Sequence, residues 1–298
     1  MFKRNSLFMM SLLLLFSLFL SSPLYSQFSS VRVQVVDVGQ ADAILIRTPN
    51  QKWIVIDAGT NSQFAEGMKN NWGVDTVSLA IVSHRHFDHL GGMDDVLRDF
   101  PVKLFLGNMD DCPGNISDDT IRSIIARKGI PVQSLGLDTI YIDGLSFIIL
   151  PQAPLMDCPD DENDNSVLVR LEYGNFSMIF PGDAETGELD WFIQNYPQYL
   201  DVDVLKASHH GSNNGTSDNW LNAVTPEAVV ISAGVNATYK HPQQDAVDEY
   251  NVETGGRIYC TNRHGTVRVY GFTDGHFRIT TQRHTSKSCV YDGTFYEE

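Results

Sequence analysis

The chain has 298 residues, 42% of them hydrophobic, and a formal net charge of −16. An acidic excess of this size repels polyanions and counts against tight, non-specific nucleic-acid binding, although bound divalent ions would reverse the field locally. Beyond the N-terminal leader, no segment approaches the ~18 consecutive apolar residues needed to span a bilayer.

That leader is the first element. Lys3 and Arg4 precede an apolar stretch from Leu7 to Leu20, and small and polar residues run on to Ser30. This order is that of a secretory signal peptide, with cleavage near Ser22 or Ser26 and no Cys placed to carry a lipid anchor. We therefore expect residues 1–26 to be a signal peptide and residues 27–298 a single domain, secreted or periplasmic, with no transmembrane segment after cleavage.

Residues 31–36, 43–47 and 52–56 have the composition of strands, the last two separated by a Thr-Pro-Asn-Gln turn. Residues 77–82 form a further apolar strand. It leads into Ser83-His-Arg-His-Phe-Asp-His-Leu-Gly-Gly92. A strand at 102–106 and a helix from Ser117 to a stop at Gly129 complete the first half. In the second half, 166–173 and 176–180 form a hairpin around Gly174-Asn175, ending in Pro181-Gly182-Asp183. A helix at 186–195 follows, then a strand at 203–207 that delivers Ser208-His-His-Gly-Ser212. A helix at 217–224, a strand at 228–232, a helix after Pro242 and short strands finish the chain. The pattern predicts two β-rich halves with helices outside them.

Cys112, Cys158, Cys260 and Cys289 form no Cys-x-x-Cys pair, so no thiolate zinc site is suggested. Four cysteines in an exported chain permit two disulfides with three connectivities. A Cys112–Cys158 pair would staple the acidic region between them.

The chemistry concentrates at the strand ends. His84, His86, Asp88 and His89 fall within six positions, and imidazole and carboxylate are the ligand types of Zn²⁺ and similar ions. A helical metal site favours His at i and i+4. The spacing here is i, i+2 and i+5, which suits an irregular loop dividing its ligands between two neighbouring ions. Asp183, the pair His209 and His210, and His241 also follow strands, where α/β enzymes gather their functional groups.

These motifs carry a resemblance. His84-x-His86-x-Asp88-His89 resembles the signature of the metallo-β-lactamase superfamily. Asp37-Val-Gly-Gln-Ala-Asp42, Ile56-Asp-Ala-Gly59, Gly182-Asp183, Leu205-Lys-Ala-Ser-His-His-Gly-Ser212 and Tyr239-Lys-His-Pro242 are similar to its ComEC-type branch. That branch includes the soluble domain of a DNA-uptake channel and stand-alone secreted hydrolases. The resemblance runs from about Val31 to about Tyr270. It implies an α/β fold, an αββα metallo-β-lactamase-like sandwich, with two divalent ions at one edge, Zn²⁺ first and Mn²⁺ also fitting. Residue by residue, it implies that His84 and His86 hold one ion, that Asp88 and His89 hold the other, and that Asp183 bridges them; His209 is the first candidate to complete the second ion's shell, with His210 and His241 competing for that position. Asp88, which also accepts a proton, His210 and His241 are the expected catalytic groups, and Asp57 orients a ligating histidine.

The chain departs from the family pattern. It has no His between His89 and His209, which leaves Asn163, Asn165 or water to complete the first ion's coordination. Lys240 and Ala41 stand where relatives commonly have Gly, and Lys240 is placed to contact an anionic substrate. The implied activity is hydrolysis of a small-molecule or polymeric phosphoester, a phosphodiester first. Amide, ester or lactam hydrolysis is the rival enzymatic reading. A non-catalytic accessory role in DNA uptake is the reading from a different class, with nucleic acid disfavoured as a partner by the acidic charge.

Overall fold

A computed structural model describes residues 29–107, 116–153, 162–236 and 238–293. The expected leader and the Cys112–Cys158 pairing lie outside the described residues. The first half runs β1 (Val31–Val35), β2 (Ala43–Arg47), β3 (Trp53–Ala58), α1 (Gln63–Asn70), β4 (Val77–Val82), α2 (Phe87–Leu90), α3 (Met93–Asp99), β5 (Phe105–Gly107), α4 (Ile116–Lys128) and β6 (Val132–Gln133). The second runs β7 (Asp138–Ile142), β8 (Leu145–Leu150), β9 (Leu168–Tyr173), β10 (Phe176–Phe180), α5 (Thr186–Asn195), β11 (Val204–Lys206), α6 (Asp218–Val224), β12 (Ala228–Ile231), α7 (Gln244–Thr254), β13 (Ile258–Cys260), α8 (Thr261–His264), β14 (Val267–Gly271) and β15 (Phe277–Thr281).

The strands form two sheets, ordered β15-β14-β1-β2-β3-β4-β5-β6 and β13-β12-β11-β10-β9-β8-β7. Their sequences explain the layering. Side chains alternate across a strand with period two, and the central strands are apolar at nearly every position, so each sheet is buried on both faces. In β2, Ile44 and Ile46 face the second sheet, where they meet a core that includes Phe147, Leu171, Phe176 and Met178. Ala43 and Leu45 face the other way, toward Phe64 and Met68 of α1, Val96 and Leu97 of α3, and Ile124 of α4. The second sheet repeats this outside, with Leu205 and Val229 packed against Phe192, Trp220 and Tyr250 of α5, α6 and α7. Helix, sheet, sheet and helix layers result, as the resemblance implied.

Most elements lie where the sequence reading put them. The strand expected at 102–106 is β5, reduced to Phe105–Gly107, with only a bridge between Val77 and Val102 before it. The β7–β8 hairpin has no counterpart in the sequence reading. Its turn is Asp143-Gly144, with φ of 57° and 84°, the left-handed pair that a two-residue type I′ turn requires.

Strands β3, β4 and β5 run parallel, as do β10, β11, β12 and β13. Their C-terminal ends carry Asp57, His84, Asp183, His210 and Ser232, and the sandwich brings both sheets' ends to one edge. A disulfide between Cys260 and Cys289 ties the segment after β15 to this region, and Tyr291 N donates to Pro242 O over 3.0 Å. No helix among the described residues is long and apolar enough to cross a membrane.

Candidate metal centre

The histidine loop is held from below by one carboxylate. Asp57, next to last in β3, has φ 55° and accepts hydrogen bonds from Ser83 N (2.8 Å) and Ser83 Oγ (2.7 Å). Its Oδ2 also lies 2.8 Å from His89 Nδ1. With Nδ1 engaged, His89 presents Nε2 outward. The contact expected between Asp57 and a histidine of the cluster is therefore present, and the histidine is His89. The Gly91-Gly92 pair has a packing role as well as a turning one. A side chain at Gly92 would meet Ala58 O at 2.4 Å and Asn61 O at 2.5 Å, so its absence lets α3 start against the end of β3.

The second half closes on this loop at Gly182. Its φ is +62°, and a Cβ there would meet Ser166 Oγ at 2.8 Å and Ser83 Cβ at 3.0 Å. Only glycine lets the two sheets' ends approach so closely. Asp183 follows, its N–H donating to Ser166 Oγ over 3.1 Å. Its Oδ2 lies 3.2 Å from His89 Nε2 and 3.3 Å from His210 Nε2. Asp183 Oδ1 and His89 Nε2 are buried without hydrogen-bond partners.

His210 is fixed from behind. Its Nδ1 donates to Ser232 O over 3.0 Å and lies 3.3 Å from Asp42 Oδ1. Asp42 also receives the Ser232 hydroxyl and forms a 2.8 Å ion pair with Lys206, both groups fully buried. His210 Nε2 is thereby turned toward Asp183 and toward Asp88 Oδ2, 3.3 Å away. Of the three histidines that compete for this position in the sequence reading, the structure places His210 here and not His209, the first candidate. The backbone is left-handed at both residues, with φ 45° at His209 and 54° at His210. Consecutive side chains on such a turn diverge. His209 points to Asn214 Oδ1 (3.0 Å) and Glu185 Oε1 (3.4 Å) instead.

The ligand atoms of Asp88, His89, Asp183 and His210 all lie within 4.8 Å of one another. Beside them, His84 Nε2 and His86 Nδ1 converge to 3.1 Å. The spacing tests whether ions fit. Bonds of about 2.0–2.1 Å to a tetrahedral ion place neighbouring donors about 3.3 Å apart. The separations here are 3.1 to 3.3 Å, and two buried atoms of the set, Asp183 Oδ1 and His89 Nε2, lack partners. The Asp88, His89, Asp183 and His210 set fits one divalent ion, and His84 and His86 offer a second pair of donors beside it.

The charges of these groups are strongly interdependent. Burial, reinforced by His89, holds His84 well below the usual imidazole range, so it is a neutral donor. Burial opposes charge on Asp183, but His210 and His89 outweigh it and hold the carboxyl ionised. His89 and His210 are in turn raised, burial being overcome by Asp183 together with Asp57 for His89 and Asp42 for His210.

A cavity of about 710 Å³ opens above the cluster, and Asn163, His209 and His241 line it. Of the two asparagines considered for the first ion, Asn163 lines this cavity and donates to Glu185 Oε1 over 2.8 Å. Asn165 points away, toward Glu162. His241 precedes a cis Pro242 and stacks on His210 with ring centroids 6.2 Å apart. Burial, then the neighbouring His210 and His209, pull its pKa down to about 4. Lys240 is exposed and stands outside the cavity lining. The sequence reading gave no role to Asp42, Lys206, Ser83 or Ser232. Lys206 carried a usable signal, since a lysine within a short apolar strand must find a buried partner.

Glu188 of α5 supports the Asp183 turn, its Oε2 accepting from Ser166 N over 3.2 Å. Burial and then Asp164 push its pKa well above the carboxylate range. A carboxyl raised on folding makes the native state bind more protons, so stability falls as pH rises above the unfolded value of about 4.3. Glu188→Gln is therefore expected to be more stable than wild type at pH 8. The difference should disappear below pH ~4, as read from urea midpoints across that range.

The sequence profile of the metallo-beta-lactamase superfamily matches residues 36–235. The chain belongs to the metallo-beta-lactamase superfamily. ComE operon protein 3 of Bacillus subtilis (strain 168) is 27% identical over 265 residues, covering 80% of this chain and 33% of that protein. Competence protein ComA of Neisseria gonorrhoeae is 28% identical over 215 residues, covering 71% and 28%. The ComEC-type resemblance is thus matched by relatives with competence names, and this chain spans about a third of their length or less. In fold, the metallo-beta-lactamase fold protein YhfI from Bacillus subtilis superposes with a TM-score of 0.52 at 12% identity, covering 77% of this chain and 96% of that one. The superfamily is one of hydrolases that bind divalent metals, and the cluster above is its candidate site in this chain.

Proposed function

We propose that this chain is an exported, binuclear metal-dependent hydrolase of phosphodiesters. The observation that carries the reading is the shared carboxylate. Asp183 Oδ2 lies 3.2 Å from His89 and 3.3 Å from His210, its Oδ1 is buried without a hydrogen-bond partner, and we assign that free oxygen to an ion held by the His84–His86 pair. Two ions held there, Zn²⁺ first and Mn²⁺ second, would supply Lewis-acid polarisation and an activated water.

The chain's own residues do the rest. Asp57 and Ser232 fix the ring orientations of His89 and His210. Asp88, the most exposed carboxylate of the cluster, is placed to accept a proton at the cavity floor. His209 takes the role the sequence reading gave to His210, delivering a proton to the leaving oxygen, with Asn214 and Glu185 orienting its ring. His241, a neutral imidazole, donates a hydrogen bond to a phosphoryl oxygen. Asn163 is the side chain for the first ion's remaining position. The competence names of the relatives favour a phosphodiester among the superfamily's substrates, and the acidic surface favours a small or weakly held one.

The roles of His209 and His210 are separable. His210→Ala is expected to lower kcat/KM by about 10²–10³-fold, and His209→Ala by about 10²-fold through kcat alone. Metal content should fall only in the His210 variant, by elemental analysis after desalting. The overall reading is tested with residues 27–298 produced in an oxidising compartment. Bis-p-nitrophenyl phosphate, p-nitrophenyl phosphate and nitrocefin are offered side by side with Zn²⁺ or Mn²⁺. Diester turnover is the expected result, and nitrocefin turnover alone would replace it with lactam chemistry.

A further inference from the structure

Among the described residues, six large apolar side chains are more than half exposed, and two of them, Phe87 (59%) and Tyr239 (57%), line the same cavity. Burying apolar surface is favourable, so two large aromatic rings exposed at one cavity are placed to take an occupant. They come from opposite halves of the fold. Phe87 lies between His86 and Asp88 on α2, beside the first half's ligands. Tyr239 lies on the loop after β12, its N–H held by Asn236 Oδ1 at 3.3 Å. Its ring lies 5.9 Å from that of His241, tilted by 30°. Each half of the fold therefore contributes one exposed aromatic side chain to the lining of the cavity that Asp183 and His241 also line.

We propose that Phe87 and Tyr239 are the specificity determinants of this site, holding a planar ring attached to the substrate's phosphate. A planar ring bound against these side chains gains stacking and loses its contact with water. An alkyl ester of the same phosphate gains neither. The preferred substrate class is a phosphodiester whose retained ester group bears a planar ring, either a simple aryl group or a nucleoside. This inference rests on the phosphodiesterase reading for its turnover, but not for its binding.

The test keeps the leaving group constant. Three p-nitrophenyl diesters are compared, with ethyl, phenyl or thymidine 5′ as the retained group. The phenyl diester is expected to exceed the ethyl diester in kcat/KM by about tenfold or more, on the scale of one stacked ring. Phe87→Ala and Tyr239→Ala should each collapse that ratio mainly through KM, and Phe87→Tyr and Tyr239→Phe should restore it. A higher rate for the thymidine diester than for the phenyl diester would identify the nucleoside as the ring's source; equal rates would identify any aryl group. Calorimetry with phenyl phosphate and ethyl phosphate gives a readout independent of turnover, and phenyl phosphate should lose about tenfold in affinity in either alanine variant. If no diester is hydrolysed but phenyl phosphate binding still depends on both rings, the phosphodiesterase reading fails and the clamp stands. If diesters are hydrolysed with a phenyl-to-ethyl ratio near one, or with a ratio that neither alanine variant changes, the clamp is overturned.

Discussion

Replacing Asp183 with alanine is expected to lower diester hydrolysis by at least about 10³-fold, about 4 kcal/mol of barrier, and to reduce bound metal from two equivalents to one or fewer. The expectation follows from the position of the carboxylate. Its Oδ2 is shared by His89 and His210 at 3.2 and 3.3 Å, and its Oδ1 is buried without a partner. No neighbouring side chain can substitute, because Gly182 packs against Ser83 and Ser166 and leaves no room for the turn to shift. Asp183→Asn keeps the shape but removes the charge, so it should retain more of the fold's stability while losing nearly as much activity. Elemental analysis and initial rates on the same preparation check both. Two bound ions with activity within tenfold of wild type in the alanine variant would remove Asp183 from the centre of the mechanism.

The second large effect is expected far from any substrate. Lys206→Met should destabilise the protein by about 3–5 kcal/mol, the usual cost of leaving one member of a buried ion pair without its partner. Lys206 Nζ is 2.8 Å from Asp42 Oδ2 and donates to Ala207 O over 2.8 Å, with no exposed surface. Asp42 is held below the usual carboxylate range because Lys206, then His210, outweigh the penalty of burial. Removing the ammonium leaves that penalty opposed mainly by His210. Denaturation midpoints in urea measure the loss. The companion change is Asp42→Asn with Lys206→Met. If the pair accounts for the effect, the double variant should recover part of the stability. A double variant no more stable than the single would assign the loss to the lysine's packing.

Much of the molecule is legible in its sequence because the determinants are local. Apolar runs bounded by turn residues mark β2 and β4 to the residue, and α5 begins and ends where its pattern does. The ligand-bearing loop is equally plain, since four metal-binding side chains in six positions have few other uses. What escapes is set by tertiary contact. The choice between His209 and His210 depends on two left-handed backbone angles, a conformation that non-glycine residues adopt only when the surroundings enforce it. The pairing of Asp42 with Lys206 joins residues that are close only once the two sheets have packed. Asp183's dependence on Gly182 becomes visible only when Ser83 and Ser166 arrive on either side. The Asp143-Gly144 turn is different, since its dipeptide signal is local and present in the sequence.

The division of the centre between two sheets has a consequence for how the molecule comes apart. His84, His86, Asp88 and His89 belong to the first sheet's edge, while Asp183 and His210 belong to the second. Ions bound among them would act as a clasp across the sandwich. A ligand that binds only the assembled state stabilises it in proportion to the logarithm of its concentration over its dissociation constant, about 2.7 kcal/mol at a hundredfold excess. Chelation should therefore lower the melting temperature as well as abolish turnover. Amide exchange should then quicken first at the ends of β4, β10 and β11, where the halves meet, before the apolar interior between the sheets begins to open.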